Sequence, residues 1–423
     1  MKWAADALAI AVAGGICSLS VPAWGTADNL PPDSALPTNV ISPATRGVQA
    51  GDSISPDDST DALPAKNAQK YTLELVASFD EYMPRGVSIT KEGRIFVCFP
   101  RHDINHEYTV AEVKDNKIIP FPSTEINKAD INDASNHLIS VISATVDNKN
   151  RLWLLDSGRI FRDQIKDGCK LIGIDLHTGQ IIKNIPFSNN VLLPTSVFKD
   201  IRIDPLIGED GTAIIIDSAP TGTSAIIAVD LASGKGIRRL NNHPSVTAEP
   251  DFVIFADGEM LLLRESEDNK KDWTPGVSGL AISTNGDMLY YSALSSPDIY
   301  SVSLPKLCDS HISEAEVEKT VKSIGREVGT SDGMESDSQN RLYLSDVENN
   351  IIWRRNADAT LESIVKDDRL CWPDRLCLAA NGYLYVTASQ FHRSPWFHYG
   401  EDTRELPFQL FRIKVDAQPV QLK

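Results

Sequence analysis

Residues 330–353 read TSDGMESDSQNRLYLSDVENNIIW. A polar entry, Thr330-Ser331-Asp332, leads into Gly333-Met334 and then a polar turn from Asp337 to Asn340. The β-forming run Leu342-Tyr343-Leu344 follows, then a second turn at Glu348-Asn349-Asn350 and a third strand at Ile351-Ile352-Trp353. Short runs of β-formers joined by Asn/Asp-rich turns read as consecutive hairpins. The same grammar occurs five more times. Arg85–Ile89 is followed by Ile95-Phe96-Val97, Ser143–Val146 by Leu152–Leu155, and Asp200–Ile203 by Ala213–Ile216. Ser278–Ile282 is followed by Met288–Tyr291, and Asp374–Leu378 by Tyr383–Val386. Between the matched positions 86, 144, 201, 279, 333 and 375 the steps are 58, 57, 78, 54 and 42 residues. Each step is long enough for a four-stranded sheet.

Six such units with little helical periodicity predict an all-β fold, a six-bladed β-propeller, in which every sheet buries both faces against its neighbours. The competing architecture, a double β-sandwich, would not require one motif six times. Tyr71–Val76 alternates like a strand and is expected to complete the final blade, joining the two ends of the chain. The helix candidate is 313–322, with Ser313 and Glu316 spaced as a capping box.

Three regions follow from composition. Residues 1–27 read as a signal peptide: Met1-Lys2, an apolar run from Leu8 to Leu19, and small residues around Ala23 to Ala27. Residues 28–67 are rich in Pro, Ser, Asp, Thr and Ala and read as a disordered tether, too poor in large apolar groups to offset chain entropy. Residues 68–423 form the propeller. The expected location is therefore secreted or periplasmic, with no integral membrane segment in the mature chain. The 423-residue chain is 42% hydrophobic, enough for a large core, and its formal charge of −17 argues against a nucleic-acid partner. Removing Cys17 with the signal leaves Cys98, Cys169, Cys308, Cys371 and Cys377, an odd number without zinc-site spacing. Cys371 and Cys377 are close enough in sequence to pair, but buried thiols are the simpler expectation.

The phrases RGVSITKEGRIFVCFPR, RLWLLDSGR, LIGIDLHTGQIIKNIPF, SDGMESDSQNRLYLSDVENNII and WPDRLCLAANGYLYVTASQ, taken in order, resemble the yellow / major royal jelly protein family. The similarity runs from about Leu75 to the carboxyl end. Bacterial relatives are commonly labelled dopachrome-tautomerase-related, and other members bind biogenic amines. The resemblance thus implies a secreted six-bladed propeller with a small-molecule ligand and dopachrome-type isomerisation as the associated reaction. More distantly, the chain is similar to gluconolactonase/regucalcin propellers, which hold a divalent metal with Glu, Asn and Asp at blade entries. Asp332 matches the Asp, but Arg85 and Ser278 stand where Glu and Asn would be needed, so lactonase chemistry is the weaker alternative. A non-catalytic interaction protein is the third reading.

In a propeller the entry ends of the innermost strands converge on one face of the central channel. The residues just before each apolar run, Arg85, Ser143, Asp200, Ser278, Asp332 and Asp374, are therefore expected to form a ligand-binding ring. Asp200, Asp332 and Asp374 would hold a cation there, either Ca²⁺ or another divalent metal through oxygen ligands or the ammonium of an amine, with Arg85 facing an anionic group. The bland account is that these carboxylates cap turns or pair with Arg85. Trp372, Phe391, His392, Trp396, Phe397, His398 and Tyr399 form an aromatic/His cluster that either stacks on a planar ligand or, more simply, covers the rim. His102 and His106 are candidate proton carriers. No motif for a serine hydrolase, phosphate loop or helical zinc site occurs.

Overall fold

The computed structural model describes residues 71–422 apart from 103–105, 116, 221, 327 and 328. The expected signal peptide, the tether and Cys17 lie outside the described residues. Among the described residues, three two-stranded hairpins accompany six four-stranded antiparallel sheets. Their innermost strands are Val87–Ile89, Val141–Val146, Phe198–Asp204, Val277–Ile282, Ser331–Ser336 and Pro373–Leu378. Each innermost strand neighbours the next, and the sixth neighbours the first, so the ring closes into the expected six-bladed propeller. In the last blade the order from outside to axis is Leu73–Phe79, Phe408–Lys414, Tyr383–Ala388, Pro373–Leu378. The amino-terminal strand thus completes the carboxyl-terminal sheet, as its alternation predicts.

The two-residue period of a strand sends alternate side chains to opposite blade interfaces. In the second blade, Leu152 and Leu154 pack toward Phe96 and Cys98 of the first, whereas Trp153 and Leu155 pack toward Ile201 and Ile215 of the third. A buried cluster of this kind fills each blade interface. The one between the last and first blades gathers Phe79, Val97, Tyr385 and Phe408.

The hairpin turns repeat with the strands. Asp147 accepts from Arg151 Nε (2.7 Å) and Trp153 Nε1 (2.9 Å). Asp337 accepts at the same offsets from Arg341 Nε (2.6 Å) and Tyr343 OH (3.1 Å). The turn residues Asn150 and Asn340 both take φ +58, a left-handed conformation that Asn tolerates well and that Gly93, Gly286 and Gly382 supply in other blades. The motifs DNKNRLW and DSQNRLY are therefore one device: a carboxylate that ties the turn to the strand leaving it.

The 78-residue step contains an insertion between the third and fourth blades. It carries two small hairpins, Phe255–Ala256 with Glu259–Met260 and Leu262–Ser266 with Asn269–Asp272. We call this segment the arm. The expected helix is Glu314–Glu318, shorter than 313–322, with Ser313 as its cap accepting from the Glu316 N–H at 3.3 Å. Short helices at Thr124–Asn127 and Leu304–Cys308 were not anticipated, because four or five residues show no helical period. Cys98, Cys169, Cys308, Cys371 and Cys377 are all free thiols, so Cys371 and Cys377 do not pair. Among the described residues, no helix is long and apolar enough to cross a membrane.

Candidate functional site

The inner strands share an irregularity where they enter the channel. In the second blade Val141 faces Asp156 and Ser143 faces Leu155, leaving Ile142 unmatched. In the third, Phe198 faces Asp217 and Asp200 faces Ile216, leaving Lys199 unmatched. Ser278 is the extra residue of the fourth blade, between Val277 and Gly279. The fifth and sixth blades shift register between Ser331 and Met334 and between Pro373 and Leu376. In the first, Arg85 N–H donates to Cys98 O (2.9 Å) and Cys98 N–H to Gly86 O (2.8 Å). Bulges bend a strand and re-aim side chains that simple alternation would send elsewhere. Here they turn successive residues into the channel.

All six ring residues expected from the sequence line one central cavity, together with Lys199 and Arg375. Asp332, whose side chain is fully buried, pairs with Lys199, accepts from Ser278 Oγ (2.5 Å) and Trp372 Nε1 (2.8 Å), and lies 3.9 Å from Arg85 Nη2. Asp374 pairs with Arg85 Nε at 2.5 Å and accepts from Ser389 Oγ at 3.3 Å. Asp200 pairs with Arg375 and with Arg202 Nη1 (3.2 Å) and accepts from Ser143 Oγ (2.9 Å). Four cations therefore face three carboxylates. Burial pushes both neighbouring carboxyls up. At Asp332, Lys199 and Arg85 outweigh that effect and hold it below the usual range. At Asp374, burial and the charge of Asp332 outweigh Arg85, so its carboxyl is raised.

This packing leaves about 10 Å³ of free volume inside the ring, roughly the room one water needs. The ring residues are thus brought together as expected, but they enclose no ligand-sized space in this arrangement. Nor do the oxygens of Asp200, Asp332 and Asp374 draw together as metal ligands: among the described residues, the trio whose donor atoms fall within 4.8 Å of one another is Asp257, Cys371 and His392.

Further along the axis, at the exit ends of the same strands, the channel widens to a chamber of about 280 Å³. Val87, Ile89, Val146, Ile203, Ile282 and Leu376 supply apolar wall. Its polar lining includes Arg202, Arg375 and Glu335, together with Lys91, Asp147 and Asn148. Arg202 reaches both levels, since its Nη2 also approaches Glu335 Oε2 at 3.6 Å. Burial raises the Glu335 carboxyl despite that arginine. Arg375 Nη2 donates to Ile201 O (3.1 Å), while its buried Nε meets no acceptor. Residues 419–422 border the chamber, held by the Ser338 N–H to Gln418 O bond (2.8 Å) and by the buried Leu422.

The entry mouth is closed by the aromatic cluster. Trp372 is buried with its indole on Asp332, and the Arg85 guanidinium lies 4.6 Å over the Phe391 ring. Trp273 of the arm packs 5.4 Å from Phe391 and 5.2 Å from Phe397. The cluster therefore reaches the hub itself as well as the rim. His106 is buried, packs 4.4 Å from the Tyr82 ring at a 31° tilt and places Nδ1 2.7 Å from Tyr108 O. Burial and Arg101 push it down to about 4, and burial and Arg85 push His102 down to about 3, so both are neutral at physiological pH.

Lys199, Arg202, Glu335 and Arg375 are the site residues that the sequence reading missed. Arg202 was findable, because it stands two residues after Asp200 on the same strand face. Lys199 and Arg375 each neighbour a ring aspartate, and alternation assigns them to the opposite side.

Fold and site together define a six-bladed propeller with an ion-paired hub and an axial chamber. The sequence model of the family described as Major royal jelly protein matches residues 139–420, and the chain belongs to that family. Its relatives include Major royal jelly protein 7 of Apis mellifera, 25% identical over 186 residues, covering 43% of this chain and 39% of the relative. Major royal jelly protein 1 of the same organism is 26% identical over 195 residues, covering 43% and 40%. The matched segment thus spans about two fifths of each relative. Among solved structures, a luciferin-regenerating enzyme superposes with TM-score 0.51 at 11% identity, covering 84% of this chain and 99% of its own. A protein described as a gluconolactonase superposes with TM-score 0.50 at 12% identity, covering 85% and 96%. At such identities the likeness is one of fold alone.

Proposed function

We propose that this chain is an exported propeller that binds a small aromatic amine in its axial channel, with the ligand in the chamber at the strand exit ends rather than among the ring aspartates. The observation that carries this reading is the chamber's chemistry. Apolar walls suit a planar ring, Glu335 suits an ammonium group, and Arg375 offers an unmatched donor to a carboxylate or phenolate. The ring aspartates then act indirectly: Asp200 orients Arg202 and Arg375, two of the cations that line the chamber. A dopachrome-type isomerisation is the reaction that accompanies this reading, with Glu335 as the proton carrier, since its burial moves it toward neutral pH.

A divalent ion at Asp200, Asp332 and Asp374 is less well supported, because it would have to displace Lys199 and three arginines from carboxylates they already neutralise. The metal-dependent lactonase reading weakens for the same reason.

Calorimetric titration with tryptamine and dopamine tests the proposal. Saturable binding is expected, weakened at least tenfold by Glu335→Gln and left unchanged by Asp257→Asn on the arm. Absence of binding, or equal affinity in Glu335→Gln, overturns the chamber as the site.

A further inference from the structure

The arm and the last blade meet at a group of side chains that neither the hub nor the chamber uses. Asp257 occupies the turn of the arm's first hairpin, at φ +51. Cys371 lies just before the last inner strand, and His392 sits in the short helical turn Phe391–Arg393. These three segments are distant in sequence, yet their donor atoms fall within 4.8 Å of one another. His392 Nε2 lies 2.8 Å from Asp257 Oδ2 and 4.0 Å from Cys371 Sγ. Cys371 and His392 are buried, whereas the Asp257 side chain is 43% exposed.

We propose that Asp257, Cys371 and His392 form a site for one borderline-soft divalent cation, zinc above others, that ties the arm to the last blade. The donor chemistry selects the ion. One thiolate, one imidazole and one carboxylate suit Zn²⁺ or Co²⁺, whereas Ca²⁺ and Mg²⁺ take oxygen ligands. Hydrogen bonding alone accounts poorly for the convergence. Nε2 cannot both donate to Asp257 and accept from the Cys371 thiol, whereas one cation engages all three lone pairs at once.

The surroundings permit the change of partners. In the metal-free state the Asp257 carboxylate, 2.8 Å from Nε2, keeps the ring proton on that nitrogen. His392 Nδ1 is buried without a hydrogen-bond partner, so on metal binding the proton passes to Nδ1, where no other donor competes for the site. Trp372 stacks 5.5 Å from the imidazole at 21° and fixes its plane. Arg393 Nε already donates to Asp257 Oδ2 at 2.7 Å, but a carboxylate has lone pairs for both an arginine and a metal. Binding releases the thiol proton to solvent, and the exposed side of Asp257 leaves room for water as a fourth ligand.

The test is a spectrophotometric titration of the purified, chelator-treated full chain with Co²⁺. A near-ultraviolet thiolate-to-cobalt band should saturate at one equivalent and be displaced by Zn²⁺. Cys371→Ser should abolish the band, and Asp257→Asn should weaken binding at least tenfold. Because Asp257 lies on an exposed turn, that variant keeps the fold if Cys371→Ser does not. Amide exchange in residues 252–275 should slow when metal is bound. No saturable band in the wild type, an unchanged band in Cys371→Ser, equal affinity in Asp257→Asn, or unaltered exchange of the arm each overturns the proposal, leaving an ordinary Asp–His–Arg ion pair.

Discussion

At the scale of single residues, the hub is governed by what happens to a buried charge when its partner is removed. Asp332 is held by Lys199, Ser278 and Trp372. Asp332→Ala strands the Lys199 ammonium and the Trp372 N–H in a closed cavity, and removal of one partner from a buried pair typically costs about 3–5 kcal/mol. Asp332→Asn keeps an acceptor for Trp372 and should lose roughly half as much. Urea unfolding midpoints of the two variants check the ordering. His106 gives the pH counterpart. It is neutral when folded, its pKa held down to about 4, while in the unfolded chain it protonates near 6.5. Between those values the unfolded state binds more protons, so stability rises with pH and is lost as pH falls from about 6.5 to about 4. The expected contribution is up to about 3 kcal/mol, and His106→Gln should flatten the stability–pH slope in that window.

At the scale of elements, the entry bulges decide which side chains meet. Gly333 sits in one of them, and a Cβ there would lie 1.9 Å from Asp374 O, the backbone of the next blade. Its importance is closeness of approach between two inner strands. Gly333→Ala must push the fifth and sixth blades apart, disturbing the Arg85–Asp374 and Lys199–Asp332 pairs together, and should cost about 3 kcal/mol or more. A urea midpoint no lower than that of an Ala substitution on an exposed turn would show that the hub tolerates the separation. The same bulges mark the limit of legibility from sequence. Repeated apolar runs and Asn/Gly turns reveal six blades, because periodicity and turn chemistry are local. Arg85, Asp200, Asp332 and Asp374 were legible as ring members because each precedes an apolar run. Lys199 and Arg375 were not, because an extra residue in a strand changes facing without altering composition. The chamber was also hidden: Arg202, Glu335 and Arg375 come from different blades, and their meeting depends on the closure of the ring.

At the scale of the whole molecule, closure depends on Leu73–Phe79. This strand pairs with Phe408–Lys414 from Leu73 opposite Ile413 to Phe79 opposite Phe408. Its side chains also seal two interfaces: Phe79 enters the cluster between the last and first blades, and Leu73 the cluster between the fifth and sixth. Burying a Leu or Phe contributes about 1.5–3 kcal/mol each, and loss of the strand also leaves Phe408–Lys414 as an unprotected edge. The consequence reaches the axis, because Thr387 Oγ1 bonds Arg85 O (2.9 Å) and Arg85 pairs with Asp374 across the closing interface. A chain lacking residues 1–80 should therefore lose at least ~4 kcal/mol and show faster amide exchange in the last blade and around Arg85, while the second and third blades change least. Adding a peptide of residues 71–80 in trans should restore protection in a concentration-dependent way, because it binds only the closed ring. Equal unfolding midpoints for the full and shortened chains would mean that the inner ion pairs close the ring without the strand.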